Sequence, residues 1–400
     1  MACTRLTPSG TLAGRLPPAS LSFTLGVPRS TGSAPDVSAA EERQGSGRDL
    51  LASTVADIEG PLESRTRALA LRRFLIEERP CVLPPRVSGV AQHAWDRLRA
   101  DAFLPAWSEA SRATSGDGTI KLALRLGDAT IETVLVPGRG RSTICVSSQA
   151  GCTRRCDFCA TARLGAGRNL RAGEIVLQYL VAAAAVPECS PRNVVFMGMG
   201  EPLDNLDAVL AAVRSLTDVV PGLSARHVTV STAGVLPGMK RFLAESDANL
   251  ALSLNATTDS VRSRLMPHNA RWPIEALLGL LREEGARQPG RRFFVEYVLL
   301  AGVNDTDDDA RRLTGLLHGI DAQVNLIPHN PFPGSRYLAP SRTATLRFQH
   351  QVKSQGAKSI VRWPRGADVA GACGQLALRQ VASTWQGDDA TPEAVPPRAQ

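Results

Sequence analysis

From residue 143 onward, apolar runs typical of strands alternate with segments of helical periodicity. The predicted strands cover Thr143–Ser148, Asn193–Met197, His227–Ser231, Leu250–Leu254, Phe293–Leu300, Gln323–Ile327 and Ser359–Trp363. The predicted helices cover Glu174–Val186, Leu206–Val219, Ile274–Glu284 and Asp307–His318. Because strands and helices alternate, we expect parallel strands joined by helical crossovers. The predicted fold class is therefore α/β, with a partial (β/α) barrel.

Two shorter patterns precede the barrel. Apolar residues alternate or run together in Ile120–Leu126 and Ile131–Val136 on either side of Gly127, which predicts a β-hairpin. Helical spacing of apolar residues between Arg65 and Trp107 predicts a small helical region. The expected division is a disordered leader at 1–58, a small N-terminal helical accessory domain at 59–115, a β-hairpin connector at 116–142, the barrel at 143–380 and a disordered tail at 381–400.

The two ends of the chain are predicted to be disordered because they lack apolar periodicity, and the leader is rich in Ser, Thr, Pro, Gly and Ala. The longest uncharged apolar run, Ile175–Val186, is far shorter than the roughly 20 residues of a membrane-spanning helix. We therefore expect no membrane association.

Composition indicates the kind of partner that the protein binds and the cellular compartment in which it works. Lys and Arg number 46 against 38 Asp and Glu, a net charge of +8, which favours a polyanionic partner such as a nucleic acid. Three of the eight cysteines lie within eight residues of one another, a clustering that favours metal binding over disulfides. A reducing, cytoplasmic location and a monomeric chain are expected.

The three clustered cysteines, Cys152, Cys156 and Cys159, follow the first barrel strand at spacings of four and three positions. A structural zinc site normally has four protein ligands, and no His or second Cys-x-x-Cys lies nearby. An iron–sulfur cube held by three cysteines instead keeps one iron free to bind the amino and carboxylate groups of S-adenosylmethionine (SAM). A cluster is the preferred interpretation, with zinc, a reactive-thiol loop or a chance spacing as alternatives.

Small and polar residues stand where the next strands end. They are Gly200 and Glu201, then Ser231, then Ser253, Leu254 and Asn255, then Asn330. Glycine lets a ligand approach the backbone, and Glu201 can accept a hydrogen bond from the SAM ammonium group. Each polar residue alone is equally typical of a helix N-cap. Their shared position at successive strand ends favours a ligand that lies across the top of the barrel.

Two cysteines outside the cluster are further candidates. Cys373 lies in a small-residue segment between Ala372 and Gly374, which is typical of a reactive thiol on a loop. Cys145 lies on the first barrel strand, where a buried cysteine is more often inert packing.

Five segments together resemble the RlmN/Cfr family of radical SAM adenine methyltransferases, which modify 23S ribosomal RNA and, for many RlmN members, transfer RNA. The resemblance runs from about Ser115 to Leu378. Its most specific segments are Ile131–Val134, Cys145–Gln149 with the following cysteines, Phe196–Leu203, Asn325–Gly334 and Ala372–Leu376. It implies a radical SAM barrel, a [4Fe-4S] cluster held by Cys152, Cys156 and Cys159, and an electron donor such as flavodoxin or ferredoxin.

The resemblance also implies a mechanism and a set of site residues. Carbon 2 of adenine is electron-poor, so Cys373 first takes a methyl group from one SAM and a second SAM is cleaved to activate it. Glu132 matches the family's acceptor for the carbon-2 proton, and Cys145 matches the thiol that forms a transient disulfide with Cys373. By the same comparison, SAM contacts come from Gly200, Glu201, Ser231, Ser253, Leu254, Asn255 and Asn330.

Some positions depart from the family pattern, and some alternatives stay open. Asn255 stands where many relatives have His, and Ala162 where they often have Gly. Arginines near the cysteine loop are candidates for RNA phosphate contacts, namely Arg154, Arg155, Arg163, Arg168 and Arg171. Carbon-2 methylation of 23S ribosomal RNA and transfer RNA is preferred. The alternatives are carbon-8 methylation, a radical SAM enzyme on a non-RNA substrate, and a non-catalytic RNA-binding protein with a structural metal.

Overall fold

The computed structural model describes residues 47–78, 82–138, 140–186 and 191–378. The strands are β1 Arg48–Asp49, β2 Ala102–Phe103, β3 Ser108–Thr114, β4 Ile120–Leu126, β5 Ala129–Val136, β6 Ser142–Cys145, β7 Pro191–Phe196, β8 Val228–Thr232, β9 Asn249–Ser253, β10 Phe293–Leu299, β11 Ala322–Pro328 and β12 Lys358–Val361. The α-helices are α1 Val55–Leu62, α2 Arg65–Glu78, α3 Gln92–Ala100, α4 Ala172–Ala184, α5 Leu206–Val219, α6 Leu236–Glu245, α7 Asp259–Leu265, α8 Ile274–Arg287, α9 Asp307–Leu316 and α10 Arg342–Ser354.

One ten-stranded sheet organises the chain, in the order β12-β11-β10-β9-β8-β7-β6-β5-β4-β3. From β6 to β12 every neighbouring pair is parallel, whereas the pairs among β3, β4, β5 and β6 are antiparallel. Helices connect successive parallel strands, so the predicted α/β class and partial barrel are confirmed. The parallel strands all present their carboxyl ends at one edge, where ligands bind in such sheets.

The parallel strands are apolar because helices and neighbouring elements cover them. In β10 the side chains of Phe293, Val295 and Tyr297 are fully buried, as expected for a parallel strand. Helix α4 is mostly apolar and each residue from Ala172 to Ala182 is buried, Glu174 and Gln178 included, which is typical of a helix covered on all faces.

The N-terminal helices supply part of that cover. Arg72 on α2 is 3% exposed and donates to the Leu50 carbonyl and, at 2.9 Å, to Ser215 on α5. Asp49 accepts a hydrogen bond from the Gly173 N–H at the start of α4 at 3.1 Å. Strand β1 and helix α2 therefore contact two helices of the barrel, α4 and α5.

The predicted boundaries at this end need two corrections. The expected disordered leader extended to residue 58, but β1 and the start of α1 lie within it because Leu50, Leu51 and Val55 are buried. The rest of the leader and the whole expected tail lie outside the described residues. Strand β3, assigned to the helical accessory domain, instead pairs with β4 at the edge of the main sheet.

The predicted hairpin forms, but it is not a separate connector. Strands β4 and β5 pair around Gly127, and β5 continues into the barrel by pairing with β6, with Val134 opposite Cys145. Helices α6, α7 and α10 were not predicted. Helix α10 buries only Thr345, Phe348 and Val352. So few buried positions give no clear helical periodicity in the sequence. In the part of the chain described, no helix has the length and apolar character needed to cross a membrane.

Candidate active site

The carboxyl ends of strands β7 to β11 surround a cavity of about 160 Å³. The predicted residues that line it are Cys152, Cys156, Cys159, Gly200, Glu201, Ser231, Ser253, Asn255, Asn330 and Cys373. Leu254 does not line it with its side chain, which is buried in the main core. Glu132 and Cys145 are also outside the lining and are described below.

The loop that carries the three clustered cysteines is fixed by backbone hydrogen bonds. The Cys152 N–H donates to the Gly165 carbonyl at 2.8 Å, and the Asp157 N–H to the Leu265 carbonyl at 2.9 Å. Burial raises the pKa of the Cys152 thiol to about 12 and that of Cys156 well above its usual value. A bound metal would have to displace these thiol protons, which links metal binding to pH.

The chemistry of the donor set bears on the choice between zinc and a cluster. Cys152, Cys156 and Cys159 all line the same cavity. Three thiolates are one ligand fewer than a structural zinc ion normally takes. An iron–sulfur cube held by three cysteines keeps one iron open to a further ligand, so this donor set fits that group.

The glycines of the turn after β7 serve close packing. A Cβ at Gly198 would lie 2.7 Å from the Ser147 hydroxyl oxygen, and one at Gly200 would lie 2.6 Å from the Gln149 Cβ. Gly200 also has a φ of +103°, which disfavours any side chain. The glycines thus let this turn lie directly on the segment that leads to the cysteine loop. Gly198 and Gly200 also line the cavity, so the approach of a ligand to this turn stays a prediction.

Glu201 is a fully buried carboxylate held by two backbone donors. One oxygen accepts from the Ala233 N–H at 2.7 Å and the other from the Leu203 N–H at 3.0 Å. Burial raises the pKa of Glu201, while these hydrogen bonds act in the opposite direction. The carboxylate faces the cavity with its orientation fixed, so it can accept a further hydrogen bond from a cationic ligand group.

The polar residues at the next strand ends differ in how fully their side chains are hydrogen-bonded within the protein. Ser231 and Ser253 meet with hydroxyl oxygens 3.3 Å apart. Asn255 has a φ of +58°, and its side chain accepts from the Val298 N–H at 2.9 Å and donates to the Met266 sulfur at 3.3 Å. Because these contacts occupy the Asn255 amide, its side chain holds the loop that follows β9.

Asn330 has a polar atom available for a ligand. Its amide nitrogen donates to the Cys373 carbonyl at 2.9 Å. Its amide oxygen is buried and has no hydrogen-bond partner among the described residues. An unpaired buried acceptor is costly unless something donates to it, so this oxygen fits a ligand N–H or O–H in the cavity.

Cys373 lies beside the cysteine loop. The Ala160 N–H donates to the Gly374 carbonyl at 2.7 Å, and the Thr161 hydroxyl donates to the Leu376 carbonyl at 2.7 Å. Cys373 is exposed as a residue, yet nearby protein atoms desolvate its thiol and raise its pKa to about 11. Free thiols from two separate parts of the sequence, the cysteine loop and Cys373, therefore line the same cavity.

Cys145 is a half-buried free thiol on β6. Burial raises its pKa, and a negative charge on Cys373 would raise it further. The two thiols are therefore close enough to interact electrostatically, although they are not joined by a disulfide in this structure.

Glu132 on β5 connects to the segment that follows Cys373. One carboxylate oxygen accepts from the Ala377 and Leu378 N–H groups at 2.9 and 3.2 Å. The other forms an ion pair with Lys121 on β4 at 2.9 Å, with both side chains almost wholly buried. Lys121 was missed by the sequence analysis because it occupies a position in β4 that alternation alone does not mark as buried.

Two further titratable residues of the cavity were also missed. Burial raises the pKa of Glu296 on β10 to about 7, and Asn325 donates to its carboxylate at 2.7 Å. Burial lowers the pKa of His329 to about 4, so its ring is neutral near pH 7. A single carboxylate within the apolar strand β10 was the sequence signal that could have identified Glu296.

Most of the arginines expected to contact phosphate are used within the protein. Arg154 pairs with Asp204, Arg168 pairs with Asp128 and Glu174, and Arg171 pairs with Glu174. Arg163 donates to the Gly334 carbonyl and lies over the Phe332 ring. Arg155 is exposed. Four of the five expected arginines thus have structural partners, so they are weaker candidates for RNA contacts than the sequence indicated.

Comparison with known proteins adds independent information. A family model for the Radical SAM superfamily matches residues 146–314. The dual-specificity RNA methyltransferase RlmN of Alkalilimnicola ehrlichii is 48% identical over 266 residues, covering 66% of this chain and 74% of that protein. Its namesake from Anaeromyxobacter dehalogenans is 42% identical over 339 residues, covering 82% and 90%.

A solved structure is also similar. The crystal structure of a radical SAM methyltransferase from Sphaerobacter thermophilus has a TM-score of 0.74 and 37% sequence identity. The alignment covers 82% of this chain and 99% of that one.

Proposed function

The chain belongs to the RlmN family of radical SAM RNA methyltransferases, and from that premise we propose that it methylates carbon 2 of an adenine in 23S ribosomal RNA and in transfer RNA. The observation that carries the proposal is that Cys373 shares one cavity with Cys152, Cys156 and Cys159. A radical SAM enzyme acting on a non-RNA substrate would not need that fourth thiol. The dual specificity named for the relatives supports both kinds of RNA.

The donor set of the cavity fits a [4Fe-4S] cluster and SAM. Cys152, Cys156 and Cys159 would hold the cluster, and the unpaired oxygen of Asn330 is available to SAM. Gly200, Glu201, Ser231, Ser253 and Asn255 are the other proposed contacts, whereas Leu254 can contribute only through its backbone. When bound, the cluster and two SAM molecules per turnover supply a methyl group and a 5′-deoxyadenosyl radical.

Cys373 is the residue that makes adenine methylation feasible. Carbon 2 is electron-poor and cannot attack an electrophilic methyl group, so the Cys373 sulfur accepts the methyl first. Its place on a loop tied to both Asn330 and Ala160 supports this role, because the thiol is held at the cavity. After activation, the carbon on the Cys373 sulfur forms the new bond to the adenine ring.

Glu132 and Cys145 complete the proposed sequence. The Glu132 carboxylate takes the carbon-2 proton from the covalent adduct, and its hydrogen bonds to Ala377 and Leu378 keep it next to the Cys373 segment. Cys145 then forms a transient disulfide with Cys373, which frees the methylated base. The electrostatic interaction between the two thiols supports that pairing.

Three finer points belong to the same proposal. A low-potential carrier such as flavodoxin or ferredoxin supplies the electrons, the chain acts as a monomer, and the reaction takes place in the cytoplasm. Ribosomal and transfer RNA as substrates and the free thiols at the cavity support this setting.

The test is to incubate anaerobically reconstituted protein, SAM and a reductant with unmodified 23S ribosomal RNA or transfer RNA in separate reactions. Nuclease digestion and mass spectrometry against synthetic standards should detect 2-methyladenosine in both. Formation of 8-methyladenosine would support the alternative position on the ring. A Cys373→Ala variant should bind iron as the unaltered protein does but form no methylated base, and unimpaired methylation by it would refute the thiol relay.

A further inference from the structure

Glu296 is a buried carboxylate that the proposed relay leaves without a role. It lies in β10 opposite Asn325 of β11 and Ser253 of β9. It is only 5% exposed and lines the cavity together with Cys373. A carboxylate at such a position costs stability unless it is paired, and titratable groups of this kind are concentrated at functional sites.

The side chain of Glu296 is oriented by its neighbours. Asn325 donates its amide N–H to one carboxylate oxygen at 2.7 Å, and the Arg362 guanidinium donates to the Asn325 amide oxygen at 3.3 Å. No N–H or O–H of the described residues donates to the second carboxylate oxygen of Glu296. That oxygen is therefore available to accept a proton within the cavity.

Cys373 is a titratable group of the same cavity on which the charge of Glu296 acts. A negative charge on Glu296 is, after burial, the largest contribution that raises the pKa of Cys373. Such an effect requires the two groups to be close and poorly shielded by water. The Cys373 backbone is held by Asn330 on one side and, through Gly374, by Ala160 on the other.

We propose that Glu296 is the general base that removes the proton from the Cys373 thiol as its sulfur accepts the methyl group of SAM. The inference rests on the proposed methyl relay. The S–H bond breaks and its proton moves to the free oxygen of Glu296, while the sulfur electron pair forms the bond to the methyl carbon. The bond from that carbon to the sulfonium breaks, and neutral S-adenosylhomocysteine leaves.

The charges of the site agree with this assignment. Cys373 has a pKa of about 11 and is a protonated, weak nucleophile near pH 7, whereas burial raises the pKa of Glu296 to about 7. A difference of about four pKa units makes the separated thiolate rare, on the order of one in ten thousand. Removing the proton during attack avoids that unfavourable step, and a base with a pKa near the working pH is the most effective.

Few other charges act on Glu296. Within the described residues, Arg362 lowers the pKa of Glu296 across Asn325. Arg362 also lowers the pKa of Cys373 and a charge on Cys159 raises it, but both contributions are smaller than that of Glu296. Cys159 and His329 line the same cavity. Ser253, the neighbour of Glu296 on β9, does not titrate in this range. The pH response of Cys373 should therefore report mainly on Glu296.

The test is the rate at which iodoacetamide alkylates Cys373 in anaerobic, reconstituted protein between pH 5.5 and pH 10, measured on the Cys373 peptide by mass spectrometry. We expect an inflection near pH 7 that Glu296→Gln abolishes, because the group that titrates there and accepts the thiol proton is gone. Loss of the Glu296 charge also lowers the pKa of Cys373, so the single titration step that remains in the variant should lie at lower pH than the thiol step of the unaltered protein. Glu275→Gln is the matched control, since Glu275 is an exposed partner of Arg282 and should leave the profile unchanged.

A second variant guards against a folding defect. Asn325→Leu removes the hydrogen bond that lowers the pKa of Glu296, so the inflection should move to higher pH without disappearing. The proposal would be overturned if the alkylation profile of Glu296→Gln were identical to that of the unaltered protein. It would also be overturned if the variant changed only the affinity for SAM, measured by equilibrium dialysis, and not the alkylation profile. Alkylation requires neither SAM nor RNA, so failure of the methyl relay and failure of the base are separate results.

Discussion

Replacing Lys121 with Met isolates the buried ion pair that orients Glu132. The two side chains lie 2.9 Å apart and are 6% and 2% exposed, so water cannot replace the lost ammonium group. Met preserves the length and apolar stem of the side chain. The change therefore leaves a buried carboxylate without its counter-charge and alters little else in strand β4.

The expected cost follows from what Glu132 retains. Removing one partner of a buried ion pair typically costs about 3–5 kcal/mol. Glu132 keeps the N–H groups of Ala377 and Leu378, which still solvate one of its oxygens. We therefore expect the lower end of that range, about 3 kcal/mol, in the free energy of unfolding of Lys121→Met.

Equilibrium urea unfolding followed by tryptophan fluorescence measures this loss. The double variant Lys121→Met/Glu132→Gln removes both charges, so it should be at least about 1 kcal/mol more stable than the sum of the single changes predicts. A loss below about 1 kcal/mol in Lys121→Met, or strict additivity in the double variant, would contradict the account of this pair.

Four other substitutions test separate parts of the structure. Gly173→Ala should lose about 2 kcal/mol of stability in thermal unfolding, because its Cβ would lie 2.2 Å from the Asp49 carboxylate. Gly279→Ala, in α8 with nothing within 4 Å, should gain about 0.5–1 kcal/mol, and equal shifts would refute the contrast. Cys156→Ala should lose most of the iron bound after anaerobic reconstitution, and full iron content would argue against its role as a ligand. His329, with its pKa lowered from 6.5 to about 4, remains neutral in the folded protein while the unfolded chain takes up a proton, so stability should fall as pH drops from 6.5 to 4. His329→Gln should remove about 2 kcal/mol of that loss between urea unfolding at pH 7 and at pH 4.5, and an unchanged pH dependence would be evidence against it.

The strands of the barrel were predictable because burial on both faces leaves a local signal, a short run of apolar residues. A parallel strand is covered on both faces, so β10 forms an apolar run that the sequence displays directly. The ends of such strands meet at one edge, and Ser231 and Ser253 accordingly lie 3.3 Å apart. The placement of most predicted ligand contacts around one cavity follows from the same geometry.

Other features depend on contacts between distant parts of the chain. Glu132 pairs with Lys121 and accepts from the N–H groups of Ala377 and Leu378, more than 240 positions later in the chain. Strand β3 has exposed side chains at most positions, so only its pairing with β4 reveals that it belongs to the sheet. Neither fact has a local signal in the sequence.

Charged residues were the least predictable from type alone. The sequence indicated arginines near the cysteine loop as candidates for RNA contacts, a role that stays a prediction, and it gave no sign that Arg154 and Arg168 pair with carboxylates within the protein. Glu296 was overlooked although its strand is otherwise apolar, because no nearby motif draws attention to it. A buried carboxylate in an apolar strand merits the same scrutiny as a cysteine cluster.

The most direct test of the central claim is electron paramagnetic resonance of the anaerobically reconstituted, reduced protein with and without SAM. If Cys152, Cys156 and Cys159 are the protein ligands of a cube, one iron is open and SAM should alter the spectrum. A cluster signal that SAM leaves unchanged, or a protein that binds tetrahedral zinc and no iron, would contradict the account.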